Sequence, residues 1–188
     1  MPVFDWHIDS GYFILGGLGV KDWKRPAIFS LIVAAVVIVD HAAKLIAAAY
    51  LDDGAQYSCL ADFLRLEAVH NTGAILGLGS QLPENLRVWM MPAVTIAVLI
   101  WVSAMLFRET ECGAAYIGLS LVWAGGFSNL VDRLAYGQVF DFFNMGFNNI
   151  RTGTSNLADV AIMVGIPLIS IGWLRAKKEE EQGEVQKI

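Results

Sequence analysis

The chain has 188 residues, of which 56% are hydrophobic and only 16% are charged, and its formal net charge is -5. This composition excludes an ordinary soluble domain of that size and indicates a membrane protein. The acidic balance also argues against nucleic acid as a partner, because nucleic-acid-binding surfaces are basic.

The two ends of the chain differ from its apolar middle. Residues 1–26 are predicted to form an N-terminal extension, cytoplasmic or interfacial, because they lack the basic start and apolar core of a cleavable signal peptide. Residues 176–188 carry mixed charges and are predicted to be a charged cytoplasmic tail. Residues 27–175 are then expected to form a single membrane domain.

Four apolar segments of this domain are predicted to cross the membrane, since about twenty apolar residues are needed to span roughly 30 Å of hydrocarbon. The two in the middle contain no charged residue at all. The predicted spans are residues 27–50, 88–107, 113–131 and 159–174.

Basic residues near the spans predict the orientation, because such residues are enriched on the cytoplasmic side. They place both termini in the cytoplasm and the connections 51–87 and 132–158 outside. Cys59 then lies outside and Cys112 inside, so the two cannot form an intramolecular disulfide. The flanking basic residues are Lys21, Lys24, Arg25, Arg108, Arg175, Lys177 and Lys178.

The first span carries two charges, Asp40 and Lys44, four residues apart on one helical face and in the favourable order of acid before base. Charges at membrane depth are costly and normally face the bundle interior or a water-filled cavity. Two interpretations stay open. The residues form a local ion pair that steadies the helix, or they support a functional site.

The first outer connection contains the stretch HNTGAILGLGS, residues 70–80. The side-chain amide of Asn71 both donates and accepts hydrogen bonds and suits an extended peptide backbone, while Gly73 lowers helix propensity. A turn is nevertheless favoured over a substrate-binding strand here, because Asn and Gly are ordinary turn residues.

The stretch NLVDRLAYGQVFDFF, residues 129–143, follows the third span. Asn129, Asp132 and Arg133 fall on one face of a continuing helix at the outer rim. We expect Arg133 to form a structural pair with its neighbour Asp132. Asp141 lies among aromatic and apolar residues, where contact between an unpaired carboxylate and lipid would be energetically unfavourable.

The stretch SNLADVAIMVG opens the fourth span. Ser155, Asn156 and Asp159 all suit the start of a helix, so capping explains Asp159 but leaves Asp141 unexplained. Both aspartates leave the membrane on the same side and can converge. Two carboxylates about 4 Å apart repel by roughly 4 kcal/mol at an effective dielectric near 20, enough to keep one protonated near neutral pH. Aspartic proteases use this division between acid and base.

Four motifs occur in a fixed order: VDHAAKL, NTGAILG, GGFSNLVDRLAYGQVFDF and SNLADVAIMVG. They cover about residues 27–175 and resemble the lipoprotein signal peptidases, or signal peptidase II, which are aspartyl proteases of the bacterial inner membrane. The matching family patterns are D-Q-x-x-K, N-x-G-A-x-x-G, G-x-x-x-N-x-x-D-R-x-x-x-G-x-V-x-D-F and F-N-x-A-D-x-x-I-x-x-G. The third pattern is long and specific.

The resemblance implies a mainly α, polytopic membrane protein with four transmembrane helices and a small extracytoplasmic β-cradle. It implies removal of the signal peptide from diacylglyceryl-modified prolipoproteins, with cleavage before the lipidated cysteine and no cofactor or metal. Membrane lipid and the cyclic peptide antibiotics that inhibit the family are the other implied partners. Asp141 and Asp159 match the catalytic dyad. The positions matched to substrate binding or site support are Asp40, Lys44, Asn71, Gly73, Asn129, Asp132, Arg133 and Asn156.

The sequence departs from the family at several positions. His41 stands where the family usually has Gln, Ile75 and Leu76 where an aromatic is usual, and Ser155 where Phe is usual. None of these removes a proposed catalytic group, but they bear on the shape of the groove and on whether this is a specialised member.

Other functions were weighed against this one. A proton-coupled transporter would use buried aspartates as a path, but it should spread them through the membrane, whereas here they gather at the outer side. A second alternative is that the protein binds lipoprotein precursors without catalytic activity. The G-x-G-D signature of presenilin-type proteases is absent, and the scattered histidines and cysteines favour neither a zinc site nor a cysteine nucleophile.

Overall fold

The computed structural model describes residues 23–51, 54–73 and 83–185. The predictions for residues 1–22 and for Ile75 and Leu76 lie outside these ranges. The described residues form four helices and four strands. In chain order they are α1 (Lys24–Tyr50), β1 (Gln56–Cys59), β2 (Leu64–Asn71), α2 (Glu84–Arg108), α3 (Ala114–Tyr136), β3 (Val139–Phe147), β4 (Ile150–Ser155) and α4 (Leu157–Val185).

All four helices are long and apolar enough to cross a membrane. This confirms the predicted fold class, a mainly α membrane protein with four spans and a small β-sheet. The helices run past the predicted spans at several ends, because charged residues at a helix terminus reach the membrane surface without interrupting the helix. In particular, α3 continues to Tyr136, and α4 continues through the charged tail to Val185.

Helix α3 is the centre of the bundle and packs against α1, α2 and α4. Its contact with α4 depends on small residues, because a Cβ atom added to Gly118 would lie 2.6 Å from the carbonyl oxygen of Gly165. A Cβ atom on Gly125 would likewise collide with the carbonyl oxygen of Ala158. Small residues at such positions let membrane helices approach closely. This approach brings Asn129, one turn beyond Gly125, to the start of α4.

The four strands form one antiparallel sheet in the order β1-β2-β3-β4. Strand β3 lies at the end of α1, where Phe142 and Phe143 form one buried cluster with Ala47 and Leu51. Burial of these aromatic rings attaches the sheet to the bundle, since fully burying one such side chain contributes about 1.5–3 kcal/mol. The end of the bundle that carries the sheet is called the sheet end below.

The tip of the sheet farthest from α3 is held by polar contacts. Arg65 donates to both carboxylate oxygens of Asp62 at 2.7 and 2.6 Å. These hydrogen bonds hold the pKa of Asp62 below its usual range. Arg151 donates to the backbone oxygen of Asp62 at 3.0 Å and so links the β3–β4 hairpin to the β1–β2 hairpin.

Candidate active site

Polar side chains from α1, β2, α3, β3 and α4 converge at the sheet end of the bundle. Most of them are removed from solvent: Asp40 and Asn156 are 0% exposed and Asp141 is 1% exposed. Buried polar groups are stable only when they are hydrogen-bonded. The contacts that satisfy them therefore define the site.

Asp141 lies on β3 and accepts two side-chain hydrogen bonds. Asn71 donates to Oδ2 at 2.9 Å, and Asn156 donates to Oδ1 at 2.6 Å. The strand register brings Asn71 here, because Asn71 pairs with Val139 and Val69 pairs with Asp141. Burial raises the pKa of Asp141 to about 6; the hydrogen bonds from Asn71 and Asn156 oppose the rise, and the nearby charge of Asp159 adds to it.

Asp159 is the third residue of α4 and takes part in the cap of that helix. Its backbone N–H donates to Asn156 Oδ1 at 3.0 Å, and the backbone N–H of Asn156 approaches Asp159 Oδ2 at 3.4 Å. This reciprocal arrangement is a capping box, in which each residue satisfies the backbone of the other. The prediction that the stretch SNLAD caps a helix is confirmed, with Asn156 at the cap position.

Two asparagine amides connect the two carboxyl groups. Asn129 on α3 donates to Asp159 Oδ1 at 2.8 Å. Asn156 donates both to Asn129 Oδ1 at 3.1 Å and to Asp141 Oδ1 at 2.6 Å. An unbroken series of hydrogen bonds therefore runs from Asp141 through Asn156 and Asn129 to Asp159.

A buried cation lies on the opposite side of Asn129. Lys44 Nζ is 2.6 Å from Asp40 Oδ2, 2.6 Å from Asp132 Oδ2 and 3.4 Å from Asn129 Oδ1. The Asp40–Lys44 pair predicted within the first span is therefore present, and it gains a second carboxylate from α3. Such a pair offsets the cost of burying its charges only when the remaining hydrogen bonds are also made.

Asp40 makes those further bonds. Its Oδ2 accepts from the hydroxyl of Ser128 at 2.7 Å, and its Oδ1 accepts from the backbone N–H of Ala158 at 3.0 Å. Ala158 is the second residue of α4. A carboxylate of α1 therefore satisfies one of the free N–H groups at the start of α4, where the helix dipole also favours negative charge.

The expected pair between Asp132 and Arg133 is wrong. Asp132 faces Lys44 and His41, whose Nε2 is 3.4 Å from Asp132 Oδ1. Arg133 donates to the backbone oxygens of Asn129 and Gly73, at 3.2 and 3.0 Å. Neighbouring residues of a helix do not face each other, so these two side chains reach different partners.

The expected turn is present, but it begins after Asn71 rather than at it. Asn71 is the last residue of β2, and pairing with β3 keeps it extended. The chain turns immediately afterwards, where the backbone N–H of Gly73 donates to Asn71 Oδ1 at 2.9 Å. Asn71 thus holds the turn with its oxygen and Asp141 with its nitrogen.

Two residues of the network were missed at the level of sequence. Ser128 contacts Asp40, and His41 contacts Asp132. Their positions carried a signal, because Ser128 precedes Asn129 and His41 follows Asp40, but neither spacing predicts a contact between different helices. Ser155, a departure from the family pattern, ends β4 next to the cap residue Asn156.

In the part of the chain that the structure describes, the cysteines are unpaired and the acidic and histidine side chains form no metal site. Cys59 and Cys112 are both free, as expected from their predicted positions on opposite sides of the membrane. Within residues 23–51, 54–73 and 83–185, no group of three or more His, Cys, Asp or Glu side chains is arranged to hold a metal ion.

These features define a class: a polytopic membrane protein with a buried and a half-buried carboxyl group linked by hydrogen bonds where a four-helix bundle meets a small sheet. A family model described as signal peptidase (SPase) II matches residues 32–175. The chain therefore belongs to the signal peptidase II family and is a membrane peptidase by family.

Individual relatives agree with this assignment. A lipoprotein signal peptidase of Borreliella burgdorferi is 33% identical over 160 residues, covering 82% of this chain and 93% of the relative. One from Borrelia hermsii is 31% identical over 150 residues, covering 77% and 88%. The solved structure of a bacterial membrane enzyme, determined at 2.3 Å resolution, superposes with a TM-score of 0.70 at 26% identity, covering 81% of this chain and 91% of that one.

Proposed function

We propose that this protein is an aspartyl endopeptidase that removes the signal peptide from diacylglyceryl-modified prolipoproteins, cutting just before the lipidated cysteine. Membership of the signal peptidase II family and the lipoprotein signal peptidases among its relatives support the substrate class. The observation that carries the aspartyl mechanism is the link between Asp141 and Asp159 through Asn129 and Asn156.

The carboxyl pair would act as acid and base on one water molecule. With a single proton shared by Asp141 and Asp159, the ionised carboxylate takes a proton from water, and the protonated carboxyl polarises the scissile carbonyl. The water oxygen bonds to the carbonyl carbon, and the amine of the lipidated cysteine leaves with a proton from the pair. The raised pKa of Asp141, about 6, supports retention of a proton near neutral pH.

The surroundings of the pair support binding of an extended substrate. Arg133 holds the backbone oxygen of Gly73, and Asn71 holds Asp141, so the end of β2 is fixed beside the carboxyl pair. Asn71, Arg133 and Asn156 would orient the peptide backbone, which converts the attack of water into an effectively intramolecular step. Cyclic peptide antibiotics that inhibit the family would compete for the same place.

The membrane would set the depth of the scissile bond. Large apolar side chains are exposed along the helices, among them Leu31, Ile38, Leu45 and Ile100. The apolar part of the signal peptide would lie against such surfaces, and its lipid would stay in the bilayer as the substrate enters laterally. The proposed location is the bacterial cytoplasmic (inner) membrane, with both termini in the cytoplasm and the sheet end outside.

The clustering of charge supports hydrolysis over a proton path across the membrane. Asp40, Asp132, Asp141 and Asp159 belong to one hydrogen-bonded network at the sheet end. Helix α2 carries no charged residue between Arg87 and Arg108. A transporter would need ionisable groups through the whole membrane thickness.

The test is cleavage of a prolipoprotein that carries a diacylglyceryl cysteine, by the purified protein in detergent, with the products identified by mass spectrometry. We expect cleavage before the lipidated cysteine, insensitivity to chelator, and loss of turnover in Asp141→Asn and in Asp159→Asn. Glu181→Gln, on the exposed end of α4, is the matched carboxylate control and should cleave normally.

Three outcomes would overturn the proposal. Full turnover by either aspartate variant would show that Asp141 and Asp159 are not the catalytic pair. Chelator-sensitive cleavage would replace the aspartyl mechanism with a metal-dependent one. No cleavage by well-folded wild-type protein would favour a protein that binds lipoprotein precursors without cutting them.

A further inference from the structure

The ring of His41 lies between α1 and α3, beside the buried charges. Its Nδ1 is 3.0 Å from the backbone oxygen of Val37 and 3.3 Å from the hydroxyl oxygen of Ser128. Its Nε2 is 3.4 Å from Asp132 Oδ1. The side chain is 33% exposed, so the ring borders the network rather than lying at its centre.

Every partner of the ring is an acceptor. The backbone oxygen of Val37 has no proton to give, and the hydroxyl proton of Ser128 is directed to Asp40 Oδ2 at 2.7 Å. The carboxylate of Asp132 also only accepts. A ring with protons on both nitrogens therefore makes both contacts, whereas a neutral ring makes only one of them.

The two oxygens of Asp132 are divided between two residues of α1. Oδ2 is bound to Lys44 at 2.6 Å, and Oδ1 faces His41. Lys44 in turn reaches Asn129 Oδ1, and Asn129 donates to Asp159 at 2.8 Å. Contact with His41 thus holds the carboxylate of Asp132 in place, and that carboxylate positions Lys44 beside the side-chain amide of Asn129.

The formal charges support the same role. Asp40, Lys44 and Asp132 carry one positive and two negative charges, so an N–H donated by His41 lies against the excess negative charge of this group. The other charged side chains of the site do not contact His41, because they bind other groups or are separated from it by asparagine side chains. Arg133 on α3 donates to Gly73, Asp159 on α4 is reached through Asn129, and Asp141 on β3 is reached through Asn156.

We propose that His41 is a positioning residue for the carboxyl pair: it holds Asp132 so that Lys44 and Asn129 keep Asp159 in place. This inference rests on the proposed function, because it takes Asp141 and Asp159 as the reacting groups. A Gln at this position has one amide nitrogen and would hold Asp132 without changing its charge with pH.

The experiment compares His41→Ala and His41→Gln with wild type on a diacylglyceryl-modified prolipoprotein, measuring kcat and KM separately. We expect His41→Ala to lower kcat about tenfold with KM nearly unchanged, as for loss of one hydrogen bond to a charged group. His41→Gln should recover most of this loss, because its amide nitrogen can donate to Asp132.

The matched control is His70→Gln. His70 lies on β2, and its ring Nδ1 is 3.2 Å from the side-chain nitrogen of Gln138 at an exposed position. His70→Gln should keep the wild-type kcat and KM, because His70 does not contact Asp132 or Lys44.

A wild-type kcat in His41→Ala would overturn the inference, as would a His41→Gln variant that recovers none of the loss. If His41→Ala does not fold, the near-isosteric His41→Gln keeps the test decisive, because a tenfold loss of kcat in that variant would show that donation to Asp132 is not what His41 supplies. Failure here is distinct from failure of the proposed function, because cleavage by wild type and its loss in Asp141→Asn hold or fail whatever the His41 variants show.

Discussion

The side-chain nitrogen of Asn156 lies 2.6 Å from Oδ1 of Asp141, and the same side chain accepts the backbone N–H of Asp159 through its oxygen. One residue therefore begins α4 and joins the two carboxyl groups. Because capping needs only a side-chain oxygen and the bridge needs the amide nitrogen, the two roles can be separated by substitution.

Asn156→Ala should lose both roles, and Asn156→Ser only the bridge. Both variants lose the buried hydrogen bonds of the Asn156 amide nitrogen and should unfold below the wild-type temperature. Because serine is a good N-cap, Asn156→Ser should be about 1 kcal/mol more stable than Asn156→Ala. Both should lower kcat by about a hundredfold, because a misplaced catalytic group costs roughly that factor. Thermal unfolding in detergent and cleavage kinetics check this. Wild-type kcat in Asn156→Ser would show that the bridge is dispensable.

Gly125→Ala should weaken both the fold and the activity. The added Cβ would collide with the carbonyl oxygen of Ala158, next to Asp159, and push the start of α4 away from α3. Overpacking of this kind costs about 1–3 kcal/mol. The matched control is Gly113→Ala, whose Cβ meets nothing within 4 Å. Gly113 is the N-cap of α3, where alanine is less favourable than glycine, so a small loss of stability is expected there too. The unfolding temperature and kcat should fall clearly more in Gly125→Ala, and equal behaviour of the two variants would contradict the close helix contact.

Asp141→Asn should remove the pH dependence of stability that the buried carboxyl of Asp141 causes. The pKa of Asp141 rises from 3.8 to about 6 on folding, so between these values the folded protein binds more protons and its stability falls as pH rises. Above about pH 6 the full penalty applies, at most roughly 3 kcal/mol. An asparagine has only one acceptor oxygen, so the variant also loses one of the hydrogen bonds from Asn71 and Asn156. The unfolding temperature of Asp141→Asn minus that of wild type should therefore rise as pH rises from about 4 to about 6. A constant difference across pH would argue against burial of the charge.

The two free cysteines provide a test of the proposed orientation. Cys59 ends β1 at the sheet end, and Cys112 lies in the connection between α2 and α3 at the other end of the bundle. A membrane-impermeant thiol reagent added to intact spheroplasts should label the Cys112→Ser variant, through Cys59, and leave Cys59→Ser unlabelled until the cells are lysed. The reverse pattern would place the sheet end in the cytoplasm.

Local spacing predicted part of the site correctly. The pair of Asp40 and Lys44 follows from their separation of four residues on one helix. The cap at the start of α4 follows from the residue types of Asn156 and Asp159. The four spans follow from apolar length alone. Each of these features lies within one helix or at its end, so the spacing and type of neighbouring residues are enough to predict it.

Contacts between different helices and strands do not follow from local residue spacing. The expected pair of Asp132 and Arg133 failed because the bundle offers Asp132 a buried lysine on α1 and turns Arg133 towards Gly73. Asn71 is in a strand because it pairs with β3, and local sequence did not predict this because β3 lies about seventy residues later in the chain. The cap that Asp40 provides for α4 joins residues 118 positions apart.

The sequence by itself determined the membrane class, the four spans and the family motifs, because hydrophobic length and residue spacing are properties of the chain. Only the tertiary structure decided how the buried charges are paired and how Asn129 and Asn156 join the two carboxyl groups. The physical reason is that a buried polar group takes whichever partner helix packing brings within about 3 Å. That packing depends on the close approach of α3 and α4 at Gly118 and Gly125.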